Sequence, residues 1–354
     1  MVIDRRSDTL THPTRDMRHA MWNAEVGDDC YGEDRTVTLL KRRCANLFAQ
    51  DEAVFMPSGT MSNQIALRAS TQPGDEVILH PNYPIAFFES AQTADLAKVV
   101  LNPHYTTNGL LTVVDIQEAL EAKPRGSSYA KPTLIAMENT INAYSGMIFP
   151  YANLKTIRAF SHEHHLRVHV DGARLFNAMI ATYLSSQAYG SVADSLTVCF
   201  SKGLGAPTGS ILMGDRVFAE RAKTFRKWYG GALHQSGIFA AAALYALDHH
   251  VDRLAEDHDQ AKILATKIQN IPGLDLPYGL PATNIVMFDT QKLGLPATAF
   301  VEESKKQGIL LFPWSKSVVR AVTHLGIGRQ DVDVAADVLS RVGRQFGTRQ
   351  VLAT

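Results

Sequence analysis

The sequence predicts an α/β fold, a mainly parallel, doubly wound sheet with a smaller C-terminal α+β domain. Three observations carry this. Short apolar runs alternate with segments of helical periodicity between positions 53 and 213, the pattern of strands joined by crossover helices. Several of those runs end in a charged side chain with glycine close behind, where such sheets place ligands. The chain has 354 residues, 45% hydrophobic and 20% charged, enough for a large core and more than one domain.

Taken in order, the segment to about residue 33 is polar and irregular and reads as an arm. A helix follows over 35–49. Strand and helix then alternate: strands at 53–56, 76–79, 97–101, 133–137 and 167–170, with helices at 62–69, 86–93, 114–121, 151–164 and near Phe176. Two apolar runs, 196–200 and 210–213, complete the sheet. Helical periodicity returns at 217–229 and over one long stretch, 236–263. The C-terminal part carries strands at 285–288 and 321–325 and a final helix at 330–345. This divides the chain into an arm at 1–33, a large domain at 34–253 and a small domain at 254–354.

Lys plus Arg and Asp plus Glu each number 35, so the formal net charge is zero. That balance gives no footprint for nucleic acid or an acidic membrane. No apolar stretch is long enough to span a bilayer, and the opening MVIDRRSDTLTHPT has no signal-peptide core. Cys30, Cys44 and Cys199 show no metal or disulfide spacing, which fits a reducing compartment. A cytoplasmic enzyme with a small-molecule substrate is the expectation.

Candidate chemistry lies in three places. In "CFSKGLGAPTGS", residues 199–210, Lys202 ends an apolar run. A lysine among apolar residues becomes a usable amine, able to form a Schiff base with an aldehyde; the plainer reading is a lysine snorkelling at a strand end. In "HVDGARLFNA", residues 169–178, Asp171 ends another buried run. A buried carboxylate needs a positive partner, and the ring nitrogen of pyridoxal phosphate is one; an ordinary helix cap is the alternative. In "FMPSGTMSNQIAL", residues 55–67, a strand meets a helix start through Ser-Gly-Thr. Backbone N–H groups and the Thr60 hydroxyl there suit a phosphate.

With these motifs in this order, the chain resembles the threonine aldolase branch, or β-eliminating lyases, of the fold-type I pyridoxal-phosphate enzymes. "RRSDTLTHPT", "EVGDDCYGEDRTV" and "VRAVTHLGI" extend the resemblance over nearly the whole length. It implies that Lys202 binds the cofactor covalently and that Asp171 pairs with its ring nitrogen. Gly59, Thr60 and Met61 would hold the phosphate, with Arg174 as a further cofactor anchor. Ser7, Arg174 and Arg320 would be candidates for the substrate carboxylate. Tyr31 and Asp34 would lie near a neighbouring subunit's site, in a homodimer or homotetramer.

The sequence departs from the branch at two imidazoles. Pro84, beside Tyr83, stands where the branch has a histidine in H-I-x-x-Y-E, with His80 four residues earlier. Ile141 replaces a second histidine after Glu-Asn-Thr, and His234 stands for an arginine. Two reactions therefore compete. The first is cleavage of a β-hydroxy-α-amino acid to glycine and an aldehyde, with Tyr83 or Tyr144 substituting for the imidazoles. The second is amino-acid racemisation, with Lys202 on one face and Tyr83 on the other. A β-elimination is a third expectation.

Overall fold

A computed structural model describes residues 2–351, with side chains through residue 346. The strands are β1 (Ile3–Asp4), β2 (Glu52–Met56), β3 (Glu76–Leu79), β4 (Val100–Pro103), β5 (Pro132–Glu138), β6 (Arg167–Gly172), β7 (Ser195–Cys199), β8 (Ser210–Gly214), β9 (Ile285–Asp289), β10 (Ile309–Leu310), β11 (Phe312–Pro313) and β12 (Val318–Val322). Seven of them form one sheet in the order β2-β8-β7-β6-β5-β3-β4. The pairs from β4 to β7 are parallel, whereas β8 runs antiparallel to both β7 and β2. Strands β3, β5, β6, β7 and β8 are buried almost throughout, as strands covered on both faces must be.

Growth of the sheet reverses at β3, since β4 is added on one side of it and β5 on the other. Glu138 and Asp171 stand opposite each other at the carboxyl ends of β5 and β6. Lys202 follows the end of β7, the next strand over. Asp171 and Lys202, two of the functional candidates, thus reach one crevice with Glu138 beside them, at the edge where such sheets bind ligands. Two glycines permit the close packing there. A Cβ on Gly172 would run into the Thr197 carbonyl, and Gly209, turning the chain from β7 into β8, has φ +113°, open to glycine alone at low cost.

The second unit is smaller. Strands β11-β12-β9 form an antiparallel sheet against the helices Leu254–Gln269, Ala297–Lys306 and Arg329–Val351. Its apolar core runs from Ala261 to Val342 and takes in Ile3, whereas the main core ends at Leu254. The arm is therefore not free: β1 pairs with β10 in parallel, Ile3 opposite Ile309. Among the described residues no helix is long and apolar enough to cross a membrane. The three cysteines are unpaired, with Cys30 exposed and the other two buried.

Four expectations need correction. The helical stretch 236–263 is two helices, Gly237–His249 and Leu254–Gln269. The break falls where His250 Nδ1 meets the Leu204 carbonyl at 2.7 Å and the chain passes from one core to the other. The helix expected at 86–93 is broken into the turns Pro84–Phe87 and Ser90–Gln92 and a wide turn, Thr93–Ala97. Glu89 and Thr93 turn inward there, and the Thr93 hydroxyl donates to the Ile85 carbonyl at 2.9 Å. The strands expected at 97–101 and 321–325 lie at Val100–Pro103 and Val318–Val322. The helix Ala297–Lys306 was not expected.

Candidate active site

Asp171 is 2% exposed. Its Oδ1 accepts the Ala173 N–H at 3.0 Å and its Oδ2 accepts Asn63 Nδ2 at 2.9 Å. Asn63 lies on the helix Gly59–Ser70, so this amide ties the end of β6 to the helix start below it. Asn63 Oδ1 faces His169 Nε2 at 3.5 Å, and His169 Nδ1 meets Ser195 Oγ at 2.9 Å. Burial drives the His169 pKa down to about 4, so the ring is neutral at pH 7.

Lys202 is half-buried. Among the described residues its amine has no hydrogen-bond or ion-pair partner, while its charge acts on Asp8 and Glu138. Glu138 is 1% exposed and leaves Oε2 without a partner. Burial first, then the charge of Asp171 beside it, raises its pKa well above the ordinary carboxylate range.

Ser58 caps the helix Gly59–Ser70, its Oγ accepting the Met61 N–H at 3.1 Å. That settles one of the three anion donors expected from the sequence. Met61 N–H is used within the cap, leaving Gly59 and Thr60 at the open end. A Cβ on Gly59 would come no closer than 4.0 Å to Cys199 Sγ, so the space before this helix end is clear. Sequence reading passed over Ser58, although serine followed by a helix start is itself the signal of an N-cap.

Arg320, 7% exposed, is held by three elements. Nη1 donates to Asn142 Oδ1 and Nη2 to the Arg6 carbonyl, each at 2.9 Å. Its guanidinium lies over Phe312 at 4.9 Å and Trp314 at 5.2 Å. Nε remains buried without a partner. Burial, and then the nearby Arg174 charge, lowers its pKa to about 10. A desolvated guanidinium with an unused donor is suited to a carboxylate.

Four expected residues do other work. Arg174 spends its fork on Asp8, with Nε to Oδ2 at 2.8 Å and Nη2 to Oδ1 at 2.7 Å. It is thereby a support for the arm, not a free clamp. Ser7 Oγ accepts from the Thr9 N–H and hydroxyl at 3.2 and 2.9 Å, which makes it a local cap. Tyr83 is 1% exposed and donates its phenol to the Gly109 carbonyl at 2.6 Å. Burial first raises its pKa well above the ordinary phenol range, and its hydroxyl is spent on the backbone. Asp34 is fully buried, capping Val37 N–H at 2.9 Å and Gly237 N–H at 2.8 Å.

Tyr144 is the other tyrosine named as a base. Burial is the first cause that raises its pKa, to about 12, and its hydroxyl accepts Asn82 Nδ2 at 3.2 Å. His80 is fully buried; its Nδ1 accepts the Asn82 N–H at 3.1 Å and its Nε2 meets the Thr106 carbonyl at 3.0 Å. Tyr31, 80% exposed, lines a different cavity of 610 Å³ with Asp29, Lys41, Arg226 and Trp228. In one chain it stands apart from Lys202 and Asp171.

Comparison with known proteins adds the following. The beta-eliminating lyase family matches residues 4–292. The low specificity L-threonine aldolase of Escherichia coli K12 is 37% identical over 342 residues, 95% of this chain and 98% of that protein. Low-specificity L-threonine aldolase 1 of Arabidopsis thaliana is 38% identical over 336 residues, 93% of each. Among solved structures, the Leishmania major threonine aldolase superposes with a TM-score of 0.82 at 22% identity, covering 96% of this chain and 99% of that one. The last of these speaks for the fold. Racemisation has no support from these relatives.

Proposed function

The chain belongs to the beta-eliminating lyase family, and from that premise we propose that it cleaves a β-hydroxy-α-amino acid, threonine or a relative of it, to glycine and an aldehyde. The observation that carries this reading is the near-full-length identity to aldolases. The cofactor of the family is pyridoxal phosphate, and the site fits it. An unpartnered amine, a buried carboxylate and a clear helix N-terminus stand at one sheet edge, with an orphaned carboxyl oxygen on Glu138 in the same crevice. When bound, the cofactor supplies a sink for the electrons left on Cα as the bond to Cβ breaks.

The residues divide the work as follows. Lys202 would hold the aldehyde of the cofactor, Asp171 its ring nitrogen, and the Gly59 and Thr60 end of the helix its phosphate. Arg320 would hold the substrate carboxylate through Nε, fixing the orientation of the bonds at Cα. Arg174 would act at one remove, by clamping Asp8 and so the arm whose Arg6 carbonyl fixes Arg320. Neither Tyr83 nor Tyr144 takes the β-hydroxyl proton. With a domain division at about residue 253, Arg320 would come from the small domain and Lys202 from the large one. A homodimer or homotetramer, with Tyr31 of one subunit near the site of the next, accords with its exposure and with a cavity whose lining does not include Lys202.

The test is a panel of threonine, allo-threonine, phenylserine and alanine incubated with purified protein in D₂O. Aldehyde and glycine should form from the hydroxylated substrates. Inversion of alanine with no aldehyde from any of them would reject the reading.

A further inference from the structure

Glu89 has no part in the roles above, yet it is 6% exposed and sits beside Asp171. Gln64 Nε2 donates to its Oε2 at 3.0 Å, and Asn63 Nδ2 approaches its two oxygens at 3.4 and 3.5 Å. The Thr60 hydroxyl reaches it as well. Asn63 Nδ2 is also the donor to Asp171 Oδ2, at 2.9 Å. One amide NH₂ therefore bridges two buried carboxyl groups, and His169 on its other side fixes which way the amide points.

The helix Gly59–Ser70 offers Glu89 only the uncharged donors Thr60, Asn63 and Gln64, and the charged group it faces is Asp171 on β6. Two anions sharing one amide in a dry site cannot both be ionised without a large cost. Glu89 is the one that yields: burial, and then the Asp171 charge, lifts it to about 7. A cation placed against Asp171 cancels that repulsion and lets Glu89 ionise.

Resting on the cofactor assignment made above, we propose that Glu89 is a positioning residue that sets the charge balance at Asp171 through Asn63. It keeps a proton while Asp171 lacks a cationic partner and releases it when the cofactor's protonated ring nitrogen arrives. The proton leaves to solvent, and the ionised pair Glu89 and Asp171 then holds that ring nitrogen in its charged form. Its partners lie on the Asp171 and Thr60 side of the site, so it is not the group that takes the substrate's β-hydroxyl proton.

The test is the dissociation constant of pyridoxal phosphate from the full chain between pH 6 and 8, read by visible absorbance, for wild type and Glu89→Gln. Effects of Lys202 ionisation are common to both, so their ratio isolates Glu89. With Glu89 at about 7 before binding, the wild-type advantage should grow about tenfold from pH 6 to pH 8 by linkage. A ratio that stays flat overturns the proposal. A wild-type chain that binds no pyridoxal phosphate at any pH overturns the cofactor assignment, and this proposal with it. If Glu89→Gln does not fold, Asn63→Ser replaces it. Removing the shared amide should strengthen the repulsion and move the rise in wild-type affinity to higher pH, and an unmoved rise overturns the proposal too.

Discussion

The Asp8–Arg174 pair gives the sharpest stability prediction. Both side chains are nearly out of water, 0% and 5% exposed, and two charge-assisted bonds of 2.7 and 2.8 Å join them. Burial alone would raise the Asp8 pKa, but the charge and hydrogen bonds of Arg174 overcome it and hold Asp8 below the ordinary carboxylate range. Asp8→Asn keeps the shape and removes the charge. It leaves Arg174 buried near Arg320 without its counter-ion. Breaking a buried pair costs about 3–5 kcal/mol, against about 0–1 for an exposed one. Urea unfolding of Asp8→Asn, Arg174→Met and the double variant measures it. The single changes should each lose at least about 3 kcal/mol, and the double should lose less than their sum by about 2 kcal/mol or more. Because the native Asp8 pKa is lowered, its contribution is complete above the unfolded value of about 4 and fades only as pH falls below it. The gap between wild type and Asp8→Asn should thus be constant from pH 7 to about 4. A loss below about 1 kcal/mol at pH 7, or strict additivity, would refute the reasoning.

Three further outcomes are expected. Lys202→Ala should abolish the borohydride-reducible link between chain and pyridoxal phosphate, a result that mass spectrometry of the reduced protein checks. Arg320→Ala should raise KM for the amino acid about tenfold or more while Arg320→Lys fails to restore it, since one ammonium cannot keep the Asn142 and Arg6 bonds and also present a donor where Nε stands; initial-rate kinetics decide. Burial lowers both His169 and His258 to about 4, so stability should be full above pH 6.5 and decline as pH falls from there towards 4, by up to about 3 kcal/mol per histidine. His258 Nε2 meets Asn177 Oδ1 at 2.9 Å, and replacing this histidine with Gln should flatten part of that slope in urea titrations.

The alternation of strands and helices was legible because each crossover repeats the same pattern of a short apolar run and a 3.6-residue period. Lys202 and Asp171 were legible as charges at the ends of apolar runs, whereas Arg320, in the middle of β12, was reached only through the resemblance. What could not be read was how those charges are already spent. Nothing in the local sequence around Arg174 says that its fork closes on Asp8, 166 residues away. Tyr83 looks available until the chain brings Gly109 to its hydroxyl. The broken helix after Pro84 escaped for the same reason. Its inward turn depends on Glu89 finding Gln64 and Asn63, contacts that periodicity does not encode. The N-terminal arm, polar and irregular by composition, is fixed by β10 and by Arg174, both partners lying far along the chain.

These spent charges explain how three carboxyl groups can share one crevice. Asp171 has two good donors, the Ala173 N–H and the Asn63 amide. Glu138, its neighbour across the strand pair, keeps one oxygen with no partner at all. Glu89 has donors but no cation, and it shares one of those donors with Asp171. Burial raises the pKa of Glu138 and of Glu89, and of these two Glu89 has the fuller supply of side-chain donors. In the site proposed above, the cofactor's ring nitrogen would meet Asp171 first, the carboxylate with the best-placed donors. Neighbouring titratable groups in unlike environments are candidates for unlike roles, and Glu89, lifted to about 7, is the one here poised near neutrality. Changing Asn63 should therefore disturb the site more than its distance from the substrate suggests, because it alone among these side chains touches both Asp171 and Glu89.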